Sequence, residues 1–412
     1  MTHKRVVPLV LLTALLAIGL CLGAGCGDQE EGKTGDQPAT IKIGAIFPTS
    51  GELAQPGKAS VEGLRLAIDE VNAAGGIASL GGAKIELVVA DSQGSPDKAV
   101  SEMERLASSE GVSAVVGTYQ STVALPVTQW AERLQVPVVI SIAVADEITE
   151  RGFKYTFRLC PQSSWYARDQ IRYCQAMKDV GGPAVARVAL LHEDTDYGQS
   201  TSAAQKEYAA EAGIEVAGDV TYPSNSADLT TQVSKIKAMK PDVVLTSTYL
   251  NDAILIMQAR EKLSVKTLFF DSSGGTVDGE FIKRLGSAGD GTLTELEFTD
   301  SIPGVTELNA NYKTKYGSDI TSMAYYAYQA GWVIADALER AATADPIKVR
   351  DALAAANISH EDNPHIVTSG EKVSFGPDGQ NPDVPLIVIQ YQDGKMVPVY
   401  PEAYATAPLR LP

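Results

Sequence analysis

Residues 41–77 read IKIGAIFPTSGELAQPGKASVEGLRLAIDEVNAAGGI. Ile41 to Phe47 is an apolar run of strand length, ended by Pro48. Val61, Leu64, Ala67, Ile68 and Val71 then recur at intervals of three and four, the period of an amphipathic helix. Gly75-Gly76 closes that helix, because glycine accepts the left-handed cap conformation. A strand, a flexible loop and a helix are therefore expected in order.

The same unit recurs along the chain. Residues 84–91 read as the next strand. Ser95-Pro96-Asp97 opens a helix, with a capping serine and a proline at the first helical position. Residues 112–117, 121–134 and 136–141 read as strand, helix and strand. These strands are nearly continuous Val, Ile and Leu, as in a parallel sheet covered on both faces. The alternation predicts a doubly wound α/β lobe. A second series of such units runs from 186 to 271, with strands at 186–192, 215–222, 242–247 and 266–271 and helices between them. The tail differs. Two helices, 307–316 and 322–341, precede strands near 372–375, 386–391 and 396–400, so the tail is expected to return to both lobes.

The chain has 412 residues, too many for one ordinary core and enough for two lobes. Its formal net charge is −17 at pH 7, and Lys and Arg are not clustered anywhere along it. Nucleic acid is excluded as a partner on that ground, since phosphate binding needs clustered cations.

The N-terminus reads as an export signal. Lys4 and Arg5 precede an apolar run over 6–22, then Gly23-Ala24-Gly25 and Cys26. This is the layout of a signal peptide over residues 1–25. Cys26 after three small residues resembles a lipobox, in which the thiol is acylated; ordinary cleavage to a free soluble protein is the alternative. Residues 26–39 are polar and Gly-rich, a flexible tether. No later stretch is long and apolar enough to span a bilayer. The protein is expected to be exported, in the periplasm or at the cell surface, with a lipid on Cys26 as its membrane contact. Cys160 and Cys174 read as a disulfide or as two buried thiols. The histidines, at 3, 192, 360 and 365, are scattered, so neither a metal nor another cofactor is expected.

Gly51 to Ala59, GELAQPGKA, lies between a strand and a helix and invites comparison with a phosphate loop. It fails as one. Five residues rather than four separate the glycines, and Ala59 stands where a magnesium-binding hydroxyl is needed. Gly-x-Ser-x-Gly and His-Glu-x-x-His are both missing from the sequence, which lowers the enzyme reading. Ligands of open α/β sheets gather at the carboxyl ends of the strands. Ser121 is expected there, capping the helix it opens, where a hydroxyl and helix-start amides form an anion site. A cap with no ligand is the alternative.

Several segments, in order, resemble the leucine/isoleucine/valine-type solute-binding proteins of ABC transporters. They are the stretch quoted above, LVVADSQGSPDKAV, VVGTYQSTVALPVTQWAERLQVPVVIS, Asp196-Tyr197-Gly198, PDVVLTSTYLNDAILIMQAR and YYAYQAGWVIADALERA. The resemblance implies a type I periplasmic binding protein fold: α/β, with two Rossmann-like lobes of parallel sheet joined by three crossovers and closing on a solute. Lobe 1 would take residues 40–158 and about 274–358, and lobe 2 residues 159–273 and about 359–412. It implies a monomeric, non-enzymatic receptor that delivers a branched-chain or other amino-acid-like solute to a membrane permease. A sensing subunit for amides, urea or aromatic acids is the alternative. By the same resemblance Ser121 takes a substrate carboxylate, with Tyr119 beside it. The loop at Ala143 and Ala145 offers main-chain groups, and Tyr197 and Tyr249 face the solute. Asp271, at an interlobe crossover, is the acid for a substrate amine, and Trp165 packs on the ligand side chain or serves the core.

Overall fold

The computed structural model describes residues 40–382 and 384–411. The expected signal peptide, Cys26 and the expected tether lie outside the described residues.

Strands β1 (Ile41–Phe47), β2 (Ile85–Asp91), β3 (Ala114–Gly117), β4 (Val138–Ile140) and β5 (Thr156–Arg158) form an all-parallel sheet in the order β2-β1-β3-β4-β5. Helices α1 (Ala54–Ala73), α2 (Pro96–Arg105), α3 (Ser121–Leu134) and α4 (Glu147–Glu150) connect them. Helix α5 (Ser163–Ala176) then begins the second lobe. It is followed by β6 (Arg187–Glu193), α6 (Asp196–Ala212), β7 (Glu215–Tyr222), α7 (Thr230–Met239) and β8 (Val243–Ser247). Next come α8 (Leu250–Lys262), β9 (Leu268–Asp271), α9 (Gly279–Leu285) and β10 (Leu293–Leu296). The chain goes back to the first lobe with α10 (Val305–Tyr316), α11 (Ser322–Ala341), α12 (Pro346–Ala354) and the small antiparallel pair β11 (Asn357–Ser359) and β12 (Lys372–Ser374). Finally β13 (Ile387–Gln392) and β14 (Lys395–Tyr400) join the second sheet, whose order is β14-β13-β10-β9-β8-β6-β7. Its pairs are parallel except β10–β13 and β13–β14, so β13 alone runs against the other strands.

Every residue of β3, β4, β8 and β9 is buried. That explains their unbroken apolar runs, since helices cover both faces of each sheet. Helix α11 is buried on nearly all sides. It lies close against α1, where Gly63 faces the Ala324 carbonyl; a Cβ at residue 63 would come within 2.0 Å of that oxygen.

The expected lobe boundaries need correction. Strand β10 pairs with β9 and β13, so residues 274–296 stay in the second lobe. Its sequence, LTEL, carries a buried glutamate where an apolar residue would announce a strand. The last return is also later than residue 359. Val367 is held by Tyr325 Oη and Gln329 Oε1, both on α11.

The first and third crossovers meet at Arg158, whose side chain is fully buried. Its guanidinium donates to Gln380 Oε1 at 2.5 Å, the Ala145 carbonyl at 2.6 Å and Thr149 Oγ1 at 2.8 Å. Its backbone pairs with Gly379 and Asn381 of the third crossover. Cys160 and Cys174 are free, buried thiols in separate clusters of the core, which settles the pairing left open by the sequence.

Candidate functional site: the cleft between the lobes

The carboxyl ends of both parallel sheets face one cleft. On the first lobe, Asp91 ends β2 and ties down the loop after β1, accepting from Thr49 N at 2.8 Å and Ser50 Oγ at 2.5 Å. Tyr119 follows β3, and Ile142 and Val144 follow β4. On the second lobe, Tyr197 stands in the first turn of α6 and Tyr249 caps α8. The lobes touch here. The rings of Tyr119 and Tyr249 lie 5.7 Å apart, those of Tyr197 and Tyr249 5.6 Å apart, and Asp146 N donates to Ser200 Oγ at 3.3 Å.

The tyrosine contact divides the cleft. Behind it is an inner cavity of about 30 Å³, walled by Tyr119, Tyr166, Tyr197, Tyr249, Ser273 and Met323, with Ile142 and Val144. That is room for about two waters. In front of it is an outer compartment of about 560 Å³, walled by Glu52, Gln93, Gln120, Tyr249, Asp252 and Arg284 among others. Burial pushes the Tyr119, Tyr197 and Tyr249 hydroxyls far up, so all three remain neutral donors at physiological pH. Tyr197 Oη is fixed by the Ser272 carbonyl and hydroxyl, both at 3.0 Å. Gly274 must be glycine for this approach: a Cβ there would lie 2.1 Å from the Thr248 carbonyl and 2.7 Å from Tyr197 Oη.

The expected residues are distributed unevenly over this cleft. Tyr119, Tyr197 and Tyr249 come together as described. Ser121 is at the start of α3, but as its first helical residue; Gln120 occupies the cap position. The Ser121 hydroxyl accepts from Ala145 N at 3.1 Å, joining the two loops of the first lobe. Ala143 and Ala145 point into the core, and the Ala145 amide and carbonyl are already bonded, to Ser121 and to Arg158. Their neighbours Ile142 and Val144 form the cavity wall instead. On α5, Trp165 is half-buried with the Arg168 guanidinium 5.9 Å from its ring centre, while Tyr166 reaches the cavity.

Asp271 is corrected. It is not at a crossover but ends a central strand of the second sheet, fully buried. Four donors saturate its carboxylate: Thr246 Oγ1 at 2.8 Å, Thr248 Oγ1 at 3.0 Å, Thr276 Oγ1 at 2.8 Å and Gly274 N at 3.1 Å. Burial pushes its pKa up to about 6 against those bonds, and no acceptor site is left for a ligand amine. The sequence reading missed two other acids. Glu297, just past β10, is fully buried and accepts from Ser273 Oγ at 2.9 Å, Ser322 Oγ at 3.1 Å and the Tyr166 hydroxyl. It thereby holds two walls of the inner cavity and ties them to α11. Burial pushes its pKa up. Asp252, in the first turn of α8, is 2% exposed, and its carboxyl opens on the outer compartment. Burial, then the nearby Glu193, Asp271 and Glu52, push it up to about 7, opposed by a bond from Tyr249 N. Only Glu297 had a signal in the sequence, an acid inside the apolar run LTELEF.

Among the described residues no helix is long and apolar enough to cross a membrane. A family model described as periplasmic binding protein matches residues 40–395. Leu/Ile/Val-binding protein homolog 8 of Brucella abortus is 34% identical over 385 residues, covering 90% of this chain and 93% of that one. Leu/Ile/Val-binding protein homolog 7 of Brucella suis is 32% identical, with 91% and 94% covered. Among solved structures, the leucine binding protein LivK of Thermotoga maritima superposes with a TM-score of 0.77 at 22% identity, over 87% of this chain and 98% of that one. LivJ of Streptococcus pneumoniae in complex with isoleucine gives 0.77 at 24%, over 87% and 97%. A solute binding protein of R. palustris in complex with benzoate gives 0.76 at 20%, over 87% and 95%. These three likenesses concern the fold. With two parallel-sheet lobes facing one cleft and relatives matched over nine-tenths of its length, this chain belongs to the periplasmic binding protein family, in its leucine/isoleucine/valine-binding type.

Proposed function

We propose that the protein captures a small amino-acid-like carboxylate between its lobes and delivers it, unchanged, to an ABC transporter permease. The observation that carries this reading is the cleft itself. Two sets of strand ends converge on it, and Tyr119 meets Tyr249 across it, with Tyr197 packed on Tyr249. The amides of Ser121 and Thr122 are the first two of α3, where the helix offers them no carbonyl, and they favour an anion. The Thr122 hydroxyl is buried without a partner beside them. Phenol rings suit the apolar part of such a solute. The names of the relatives support leucine, isoleucine or valine, and the benzoate-bound neighbour supports an aromatic acid as the second candidate. Opening and reclosing of the lobes would admit the solute, and the closed form would be what the permease recognises.

A lipid on Cys26 would hold the exported protein at the membrane; the mass of Cys26 in protein extracted from membranes tests that part. The solute is tested by thermal shift with leucine, isoleucine, valine and benzoate. At one hundred times Kd a true ligand adds about 2.7 kcal/mol to stability. Mass spectrometry should then recover it unaltered. No shift with any carboxylate, or a chemically changed solute, would defeat the reading.

A further inference from the structure

The outer compartment of the cleft has an imbalance of donors and acceptors that the fold itself does not resolve. Asp252 and Asp271 are both buried carboxylates, at 2% and 0% exposure, yet the two are treated differently. Asp271 receives four donors. Asp252 receives one, Tyr249 N at 3.3 Å, to its Oδ2. This bond belongs to a capping box at the start of α8, and the box occupies one of the roughly four acceptor positions of a carboxylate. Asp252 lines the compartment. Gln120, on the opposite lobe, lines the same space, and its side-chain carbonyl has no hydrogen-bond partner. Glu52 adds a further carboxylate at the mouth. The single cation on these walls, Arg284, is exposed and donates to Asn251 Oδ1 at 3.1 Å. None of the ion pairs among the described residues includes Asp252.

We propose that this compartment is a cation subsite, in which Asp252 and Gln120 take an ammonium or guanidinium carried by the solute. The inference rests on the solute-binding reading of the cleft and deepens it. The preferred solute becomes a basic or ω-amino acid, with its carboxylate at the start of α3 and its positive end on Asp252. A buried acid with a single donor is costly, and a multi-donor cation supplies what is missing through charge-assisted hydrogen bonds. Burial, and after it the nearby Glu193, Asp271 and Glu52, raise the pKa of Asp252, so other acids neighbour it. A compartment of about 560 Å³ accommodates a long side chain, which the inner cavity of about 30 Å³ does not.

The test is titration calorimetry on the mature chain with lysine, arginine, leucine and benzoate at pH 8, for wild type and Asp252→Asn. Asparagine still accepts from Tyr249 N, so the helix cap survives. Lysine or arginine should bind wild type more tightly than leucine does. Asp252→Asn should weaken lysine and arginine at least about tenfold, the size of a lost charge-assisted bond, and change benzoate less than about twofold. Equal lysine and arginine affinity in the variant overturns the subsite. Binding of leucine or benzoate without lysine or arginine overturns it too, while leaving the solute-binding reading intact. No binding by any of the four overturns both. Should Asp252→Asn not fold, Gln120→Leu carries the same comparison, with a loss of severalfold expected for lysine and arginine alone.

Discussion

Tyr119 of the first lobe and Tyr249 of the second lie with ring centres 5.7 Å apart; both wall the inner cavity, and Tyr249 walls the outer compartment as well. A solute that reaches behind the rings must first part them. Such an aromatic pair is worth about 0.5–1.5 kcal/mol beyond the area it buries. Tyr119→Ala should therefore speed hydrogen exchange at Asp146 N and the start of α6 in the free protein. An unchanged exchange rate there would show that other contacts hold the lobes together.

Ser121→Ala should act on stability and binding together. The Ala145 amide loses its acceptor, which costs about 1–3 kcal/mol for a buried N–H. Solutes with a carboxylate should weaken severalfold, whereas their primary amides should not. Equal loss for acids and amides would reduce Ser121 to a strut between two loops.

Asp252 gives stability a pH signature. Its carboxyl is raised from 3.8 to about 7, chiefly by burial. An acid raised in this way contributes fully below its unfolded pKa, and the contribution is lost as pH climbs through the folded one. The Tm of the wild type, relative to Asp252→Asn, should fall between about pH 4 and pH 7 and stay level above that. A difference that does not vary with pH would mean that the carboxyl is hydrated.

Cys160 and Cys174 should both be unreactive in the native state. Burial pushes each thiol up to about 12, so little thiolate exists at neutral pH. Thiol titration should count neither before denaturation and both after it. Non-reducing peptide mapping should find no bridge between them.

Gly63→Ala should destabilise the first lobe by about 1–3 kcal/mol, since the new methyl meets the Ala324 carbonyl and α1 must move away from α11. Denaturant midpoints would measure it, and solute affinity should change little.

The sequence made the repeating units legible because buried parallel strands and one-sided helices leave opposite hydrophobic periods. Helices 121–134 and 322–341 coincide with α3 and α11. Strand β10 escaped because Glu295 is buried in it. The site was legible as a location and less so as a set of side chains. Ala143 and Ala145 were expected where Ile142 and Val144 stand, because successive residues of an extended loop point to opposite sides. Trp165 was expected where Tyr166 stands, because one residue along a helix turns the side chain by about 100°. Asp271 ends its strand in the expected way, but three threonines and a glycine from separate segments close around it, and no local pattern announces such a set.

Arg158 fixes what the lobes can do relative to one another. One guanidinium gathers the end of β5, the loop through Ala145 and the returning segment at Gln380. The first and last of the threads connecting the lobes are thus pinned together, against a loop of the first lobe. A swing of the lobes would turn about that pinned pair, and each wall of the cleft would travel with its own sheet.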